Sequence, residues 1–239
     1  MNSFGVSDKG LLIKINQDCY KIFSQSEDTL AVVCDGIGGN KAGEIASVLA
    51  SEVLCNYFKN NYMKDKITEW YNNAIQIVNA AVLQKSSTVK EYEGMGTTLV
   101  SALITDEKTY IANIGDSRCY IITNENELKQ ITDDHTVLNE LVLKKGIDYS
   151  IASQFVGKNV ISRAIGIEEN IKADIYELNN WDYKILLLCS DGLHGYVDEK
   201  TIRNVLNDNS NLESKCQKLV EEANEKGGFD NVTVVLCRR

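Results

Sequence analysis

The chain has 239 residues, 44% of them hydrophobic, and a formal charge of -9 from 34 acidic against 25 basic side chains. That length and apolar share suit a real core in one large or two small domains, and with no proline-rich, serine-rich or low-complexity linker to divide it, a single domain over 1–239 is favoured. The acidic balance argues against a nucleic-acid surface or an acidic membrane face and suits a cleft that gathers cations.

In chain order, residues 3–6 and 19–23 read as short strands flanking Asn16-Gln17-Asp18. The apolar run 29–34 reads as a buried strand that ends in Asp35-Gly36-Ile37-Gly38-Gly39. This glycine turn places Asp35 at a strand's carboxyl end, where backbone groups approach a bound ion or phosphate without Cβ interference. A plain strand-to-helix turn with Asp35 as cap is the competing reading. Helical spacing follows at Ile45, Val48, Leu49, Val53 and Tyr57, and again at Ile67, Trp70, Tyr71, Ala74, Ile75, Val78, Ala81 and Val82. From Gly96 the period becomes strand-like, and residues 97–104, 109–114, 118–122 and 127–131 resemble an antiparallel meander. Helical character returns at 136–145, and an irregular segment leads to Asn159-Val-Ile-Ser-Arg163-Ala-Ile-Gly166. Strands at 173–178, 184–189 and 232–237 then alternate with helices at 199–206 and 213–225. Helix pairs segregate from strand runs, which favours an α+β sandwich of two sheets covered by helices over a doubly wound sheet.

The seven cysteines form no Cys-x-x-Cys pair, and Cys34, Cys119, Cys189 and Cys237 fall in or beside apolar runs. Reduced core thiols and a cytoplasmic location are therefore expected. No secretory leader pattern and no apolar run of membrane-spanning length occurs, so a soluble chain is expected. His135 and His194 are the only histidines, which makes a histidine-rich zinc site improbable.

Three further acidic motifs sit at strand ends: Gly115-Asp116-Ser117-Arg118, Ser190-Asp191-Gly192 and Asp230-Asn231. Each could be an ordinary turn. Converging carboxylates, however, repel one another unless a cation neutralises them, and an all-oxygen donor set suits magnesium or manganese better than zinc or copper.

Asn16-Gln-Asp18, Asp35-Gly-Ile-Gly-Gly, Gly94-Met-Gly-Thr-Thr98, Gly115-Asp-Ser-Arg118, Asp134-His135, Ser162-Arg-Ala-Ile-Gly166, Ser190-Asp-Gly192 and Asp230-Asn231 resemble, in order, the motifs of the metal-dependent serine/threonine phosphatases of the protein phosphatase 2C family, in its compact bacterial form. The resemblance implies a four-layer α/β/β/α sandwich of two mainly antiparallel sheets flanked by helix pairs, with the metal site at one end. It implies that Asp35 bridges two manganese or magnesium ions, that Asp191 and Asp230 complete one of them, and that the Gly36 carbonyl binds the other. Asp18 is expected to act through water, Asp116 with Asp191 to hold a weaker third ion, and Asn231 to orient its neighbours. Catalysis would fall to Asp18, Asp35 and Asp191. A water activated by the paired metals would attack phosphorus in line, with no covalent phosphoenzyme. Phosphorylated proteins would be the substrates, a cognate serine/threonine kinase would be the opposing enzyme, and a monomer is expected. Residues 148–158 correspond to a mobile flap in relatives. Some relatives have a histidine within the glycine turn where this chain has Ile37, and His135 could serve the third site or simply tie down the following helix.

One departure stands out. Ile13 occupies the position where family members usually carry a phosphate-gripping arginine. Adjacent Lys14 would point to the opposite face if the two lay on a strand, and it lacks the planar fork. Arg118 and Arg163 are conceivable substitutes, Arg163 equally a structural anchor. A catalytically weak phosphoprotein-binding or regulatory domain is therefore the alternative; Ile13 favours it, and the intact set Asp35, Asp116, Asp191 and Asp230 disfavours it. Nucleotide binding is weaker still, because the glycine turn fits neither Gly-x-Gly-x-x-Gly nor the P-loop.

Overall fold

Two apolar runs dictate the layering. In the computed structural model, described over residues 2–37, 42–157 and 160–238, strand β3 (Asp28–Ile37) turns Leu30, Val32 and Cys34 to one face and Ala31 and Val33 to the other, and both sets are buried. Strand β10 (Tyr183–Cys189) does the same with Ile185, Leu187 and Cys189 against Leu186 and Leu188. A strand covered on both faces reads as a continuous apolar run, and only a layer between two other layers is so covered.

The remaining strands are β1 (Asn2–Asp8), β2 (Asp18–Gln25), β4 (Gly96–Thr97), β5 (Leu99–Ile104), β6 (Lys108–Ile114), β7 (Arg118–Thr123), β8 (Leu128–Gln130), β9 (Asp174–Asn179) and β11 (Val232–Arg238). One sheet has the order β1-β11-β10-β7-β8 and the other β2-β3-β5-β6-β9, with β4 paired to β3. The strand pairs in both are antiparallel. Helices α1 (Gly43–Asn61) and α2 (Ile67–Thr88) cover the second sheet through a core that includes Phe58, Trp70 and Tyr71. The Trp and Tyr of α2 are thus core. Short helices α3 (Val137–Leu143) and α4 (Tyr149–Ala152) precede β9; α5 (Asp191–His194), α6 (Glu199–Asn207) and α7 (Leu212–Glu225) cover the first sheet. A third apolar layer, drawn from both sheets, lies between them. The result is the expected α/β/β/α sandwich.

Three sequence expectations change. The stretch 97–104 is two strands broken at Thr98, whose side chain and backbone serve Asp35 instead of continuing a ladder. The meander is divided between sheets: β5 and β6 belong to one, β7 and β8 to the other, and the chain crosses at Gly115 (φ 101°) to Ser117. Ile13 and Lys14 lie in the connection between β1 and β2, not on a strand, so strand alternation says nothing about them. The segment 148–158 contains α4; Lys158 and Asn159, like Gly38 and Gly39 of the glycine turn, fall outside the described residues. All seven thiols are free, and five of them are buried.

Candidate active site

The strand ends that carry the acidic motifs meet at one end of the sandwich. Asp18 opens β2 and pairs directly with Asp35 of β3, which puts both side chains on one face. Asp116 lies in the crossing between sheets, Asp191 begins α5 directly after β10, and Asp230 lies just before β11. Gly192 allows the last two to converge: a Cβ there would sit 1.9 Å from the Asn231 carbonyl oxygen, closer than any side chain permits. A Cβ on Gly36 would likewise meet the Gly43 backbone at 2.4 Å, so glycine at both positions lets the start of α1 lie against the end of β3.

Hydroxyl and amide groups fix this arrangement. The Asp35 amide donates to Thr98 Oγ1 at 2.9 Å, and its carbonyl accepts from the Thr98 amide at 2.8 Å and Thr97 Oγ1 at 2.9 Å. Thr98 Oγ1 in turn lies 2.7 Å from Ser117 Oγ, which links β3 to the Asp116 crossing. Ser190 Oγ donates to Asp18 Oδ2 at 2.6 Å and accepts from the Thr233 amide at 2.9 Å. Asn231 accepts from the Gln17 amide at 2.8 Å and donates to the Lys9 carbonyl at 2.9 Å, so it ties the last strand to the β1–β2 connection.

The electrostatics are those of a site short of positive charge. Burial, only partly offset by the Ser190 and Thr233 hydrogen bonds, and then Asp191 and Asp230, push Asp18 up to about 7. Burial and then Asp191 and Asp134 push Asp116 up to about 7. Asp35 is raised well above the carboxylate range by burial and then by Asp18, Asp191 and Asp116, and it shares a hydrogen bond with the Asp191 carboxyl. Asp18 Oδ1 is buried without a hydrogen-bond partner. A hard divalent cation would answer both observations: it would neutralise the cluster, and water bound to it would give the orphaned oxygen a partner. Among the described residues, no three histidine, cysteine or acidic side chains close up enough to ligate one ion by themselves. An ion held here would take part of its coordination sphere from water and backbone carbonyl, as magnesium does.

The histidines play supporting parts. His135 Nδ1 accepts from the Gly115 amide at 3.1 Å, which places the proton on Nε2, facing Asp174 Oδ2 at 3.0 Å. The His135 amide donates to the Gly115 carbonyl, so this residue holds the Asp116 crossing from both sides. His194 Nε2 donates to the Asp116 carbonyl at 3.0 Å, and burial followed by the Arg118 charge lowers its pKa to about 4. In the sequence Thr98, Ser117 and Ser190 are visible only as members of the matched motifs and His194 only as one of two histidines, and their supporting roles left no local signal.

Neither arginine is free to grip phosphate. Arg118 forms a fork to Asp134 at 2.8 and 2.6 Å and donates to the Tyr120 hydroxyl at 2.7 Å. Arg163 donates to Asp174 Oδ1 at 2.9 Å and to the Lys172 carbonyl at 3.0 Å, an anchor between 163 and β9. A cavity of about 420 Å³ opens beside the carboxylates, lined by Asp116, Asp191, Arg118, His194, Tyr149 and Tyr196 among others.

A model of the protein phosphatase 2C family matches residues 14–237 of the chain. The serine/threonine phosphatase stp of Listeria welshimeri is 34% identical over 237 residues, 98% of this chain and 94% of the relative. The protein phosphatase PhpP of Streptococcus pneumoniae is 34% identical over 236 residues, 97% of this chain and 94% of the relative. The solved structure of serine/threonine phosphatase Stp1 from Staphylococcus aureus is similar with a TM-score of 0.91 at 34% identity, covering 99% of this chain and 94% of that one. The catalytic domain of the phosphatase PstP, solved with two manganese ions, is similar with a TM-score of 0.82 at 30% identity, covering 98% of this chain and 96% of that one.

Proposed function

The chain belongs to the protein phosphatase 2C family and is a metal-dependent serine/threonine protein phosphatase acting on phosphorylated proteins, and from that premise we propose which of its residues hold the metals and form the catalytic site. The observation that carries this assignment is the buried, mutually repelling set Asp18, Asp35, Asp116 and Asp191, with an oxygen of Asp18 left without a partner. Asp35 would be shared between two divalent ions, with Asp191 and Asp230 serving one, directly or through water, and the Gly36 carbonyl serving the other. When bound, the pair lowers the pKa of water and offsets charge on the transferring phosphoryl group. Asp18, steadied by Ser190, orients water with its free oxygen. Asp116 and Asp191 would hold a weaker third ion, and His135 and His194 keep the Asp116 crossing in place.

Residues 1–239 act as one domain, a reading supported by the apolar layer both sheets share. We further propose a monomer in the cytoplasm that opposes a cognate serine/threonine kinase. The seven free thiols support that location, and among the described residues no helix is long and apolar enough to cross a membrane. A non-catalytic phosphoprotein-binding domain finds no support in the relatives, which carry phosphatase names. Phosphate release from a phosphothreonine peptide, with and without manganese, tests the assignment: release should depend on the metal, and equal release in chelator would refute it.

Asp116→Ala should lower turnover while the two tight metals still bind. Calorimetric titration in which the tight sites vanished with the weak one would overturn the division between them. Ile13, half-buried in the β1–β2 connection, offers a second test. An arginine there would restore a charge-assisted fork, typically worth about 1.5–3 kcal/mol, or roughly one to two decades of affinity. Ile13→Arg is therefore expected to raise kcat/KM on phosphopeptides about tenfold, while Ile13→Ala changes turnover little. Unchanged kinetics with a sharply lowered melting temperature for the arginine variant would show that position 13 serves packing alone.

A further inference from the structure

The β1–β2 connection carries Lys9-Gly-Leu11-Leu12-Ile13-Lys14-Ile15, and its aliphatic side chains are offered to solvent: Leu11 is 66% and Leu12 64% exposed. The connection is nonetheless tightly held. The Leu11 and Leu12 amides both donate to the Gly228 carbonyl, at 2.9 and 3.2 Å, the Gly10 amide donates to Asp8 Oδ1 at 2.8 Å, and Asn231 grips Lys9 and Gln17 at either end. Gly10 lies so close to the last acidic motif that a Cβ on it would fall 2.2 Å from the Asp230 carbonyl oxygen. Leu11 rests on Gly228, where a Cβ would meet its Cγ at 2.6 Å, and Gly227 lies under the Phe229 ring. Phe229, 50% exposed, packs against Tyr196, 38% exposed, with ring centroids 5.4 Å apart.

Leu11, Phe229 and Tyr196 thus form an apolar ridge over the backbone that bears Asp230, and Tyr196 also lines the cavity shared with Asp116 and Asp191. Large apolar side chains fixed in water beside a polar site mark a surface that another molecule covers. Through Tyr196 the ridge reaches the cavity beside Asp116 and Asp191, where the proposed site would receive the phosphoryl group, so the chain segment next to that group is the occupant within reach. We propose that this ridge docks apolar side chains flanking the phosphorylated serine or threonine of the substrate, which makes this chain selective for phosphosites in apolar sequence context. The proposal rests on the phosphatase reading. It also gives a physical role to the aliphatic loop in which Ile13 stands: contact with the substrate chain compensates for a weaker hold on its phosphate.

Two phosphothreonine peptides of equal length and charge, one with leucine and one with glycine flanking the phosphothreonine, are compared with the manganese-loaded enzyme. Burial of a leucine on the ridge should give about a tenfold higher kcat/KM for the leucine peptide, chiefly through KM. In Leu11→Ser/Leu12→Ser, and independently in Phe229→Ser, that ratio should fall towards one. Equal rates on the two peptides with wild-type enzyme would overturn the proposal, as would a preference that survives both variants. Concentration-dependent dimerisation abolished by the serine substitutions would assign the ridge to a second copy instead, and vesicle binding abolished by them would assign it to a lipid surface. Hydrolysis of a small aryl phosphate with manganese is the separate control. Its absence would remove the phosphatase reading and this proposal with it, whereas its presence with no peptide preference would remove the proposal alone.

Discussion

Asp35→Asn and Asp191→Asn are each expected to lower manganese-dependent phosphate release by about three decades or more, equivalent to roughly 4 kcal/mol of lost transition-state stabilisation. The amide keeps the size of the side chain but removes the charge by which the proposed assignment has these carboxylates hold the paired ions. The fold should survive, because the Asp35 backbone is held through its own amide and carbonyl by Thr97 and Thr98 and not through the carboxylate. In the metal-free protein the substitution removes a group that Asp18, Asp191 and Asp116 repel. Its melting temperature should therefore hold or rise while activity disappears. A variant with near wild-type turnover would refute the two-metal assignment; one that lost activity along with its melting transition would make these aspartates structural.

The sequence disclosed the layers more readily than the connections, and the physical reason differs at each place. Runs such as Leu30 to Cys34 and Ile185 to Cys189 are apolar at every position because a sheet covers one face and helices the other. The crossing at Gly115-Asp116-Ser117 left no such mark. An antiparallel neighbour has the same alternation whether it joins its predecessor's sheet or the facing one, and only the tertiary pairing of β7 with β10 decides. Thr98 looks like a strand residue by composition, but its hydroxyl is taken by the Asp35 amide and Ser117. Leu11 to Ile15 has strand-like composition, yet the Leu11 and Leu12 amides donate to the Gly228 carbonyl and the flanking residues Lys9, Gly10 and Gln17 are tied to Asn231 and Asp8, which holds the connection as a loop.

Within the site, carboxylates beside glycine at strand ends are conspicuous, since few other tasks require so many like charges there. Their supports are not conspicuous. Ser190, next to Asp191, and His194, one turn further along α5, have the composition of any helix start. Their roles depend on the β11 backbone and the Asp116 carbonyl, which are distant in sequence.

Bound metal should reverse the sign of the pH dependence of stability. Asp18 and Asp116 each have a folded-state pKa of about 7 against an ordinary value of 3.8. A carboxyl raised in this way favours the folded state fully below its unfolded pKa, and that contribution is lost as pH rises through the folded value. His194 works the other way: with a folded pKa of about 4 against 6.5, its contribution is present above 6.5 and is lost as pH falls towards 4. Asp35 and Asp191 are raised in the same sense and His135 is lowered like His194, so the raised carboxyls outweigh the histidines over most of this window. One proton taken up on folding changes stability by about 1.4 kcal/mol for each pH unit crossed, so moving the metal-free protein from pH 7.5 to 5.5 should give a net gain on the order of a few kcal/mol. Its melting temperature should therefore rise on mild acidification by several degrees. With manganese bound the carboxylates are held ionised, protons compete with the metal, and the same change of pH should lower the melting temperature. Differential scanning calorimetry at the two pH values, with chelator and with manganese, reads both slopes. Parallel slopes in the two conditions would mean that the metal does not bind at these carboxylates, whereas opposite slopes, with the metal-free rise diminished in Asp116→Ala, would assign the acid groups directly.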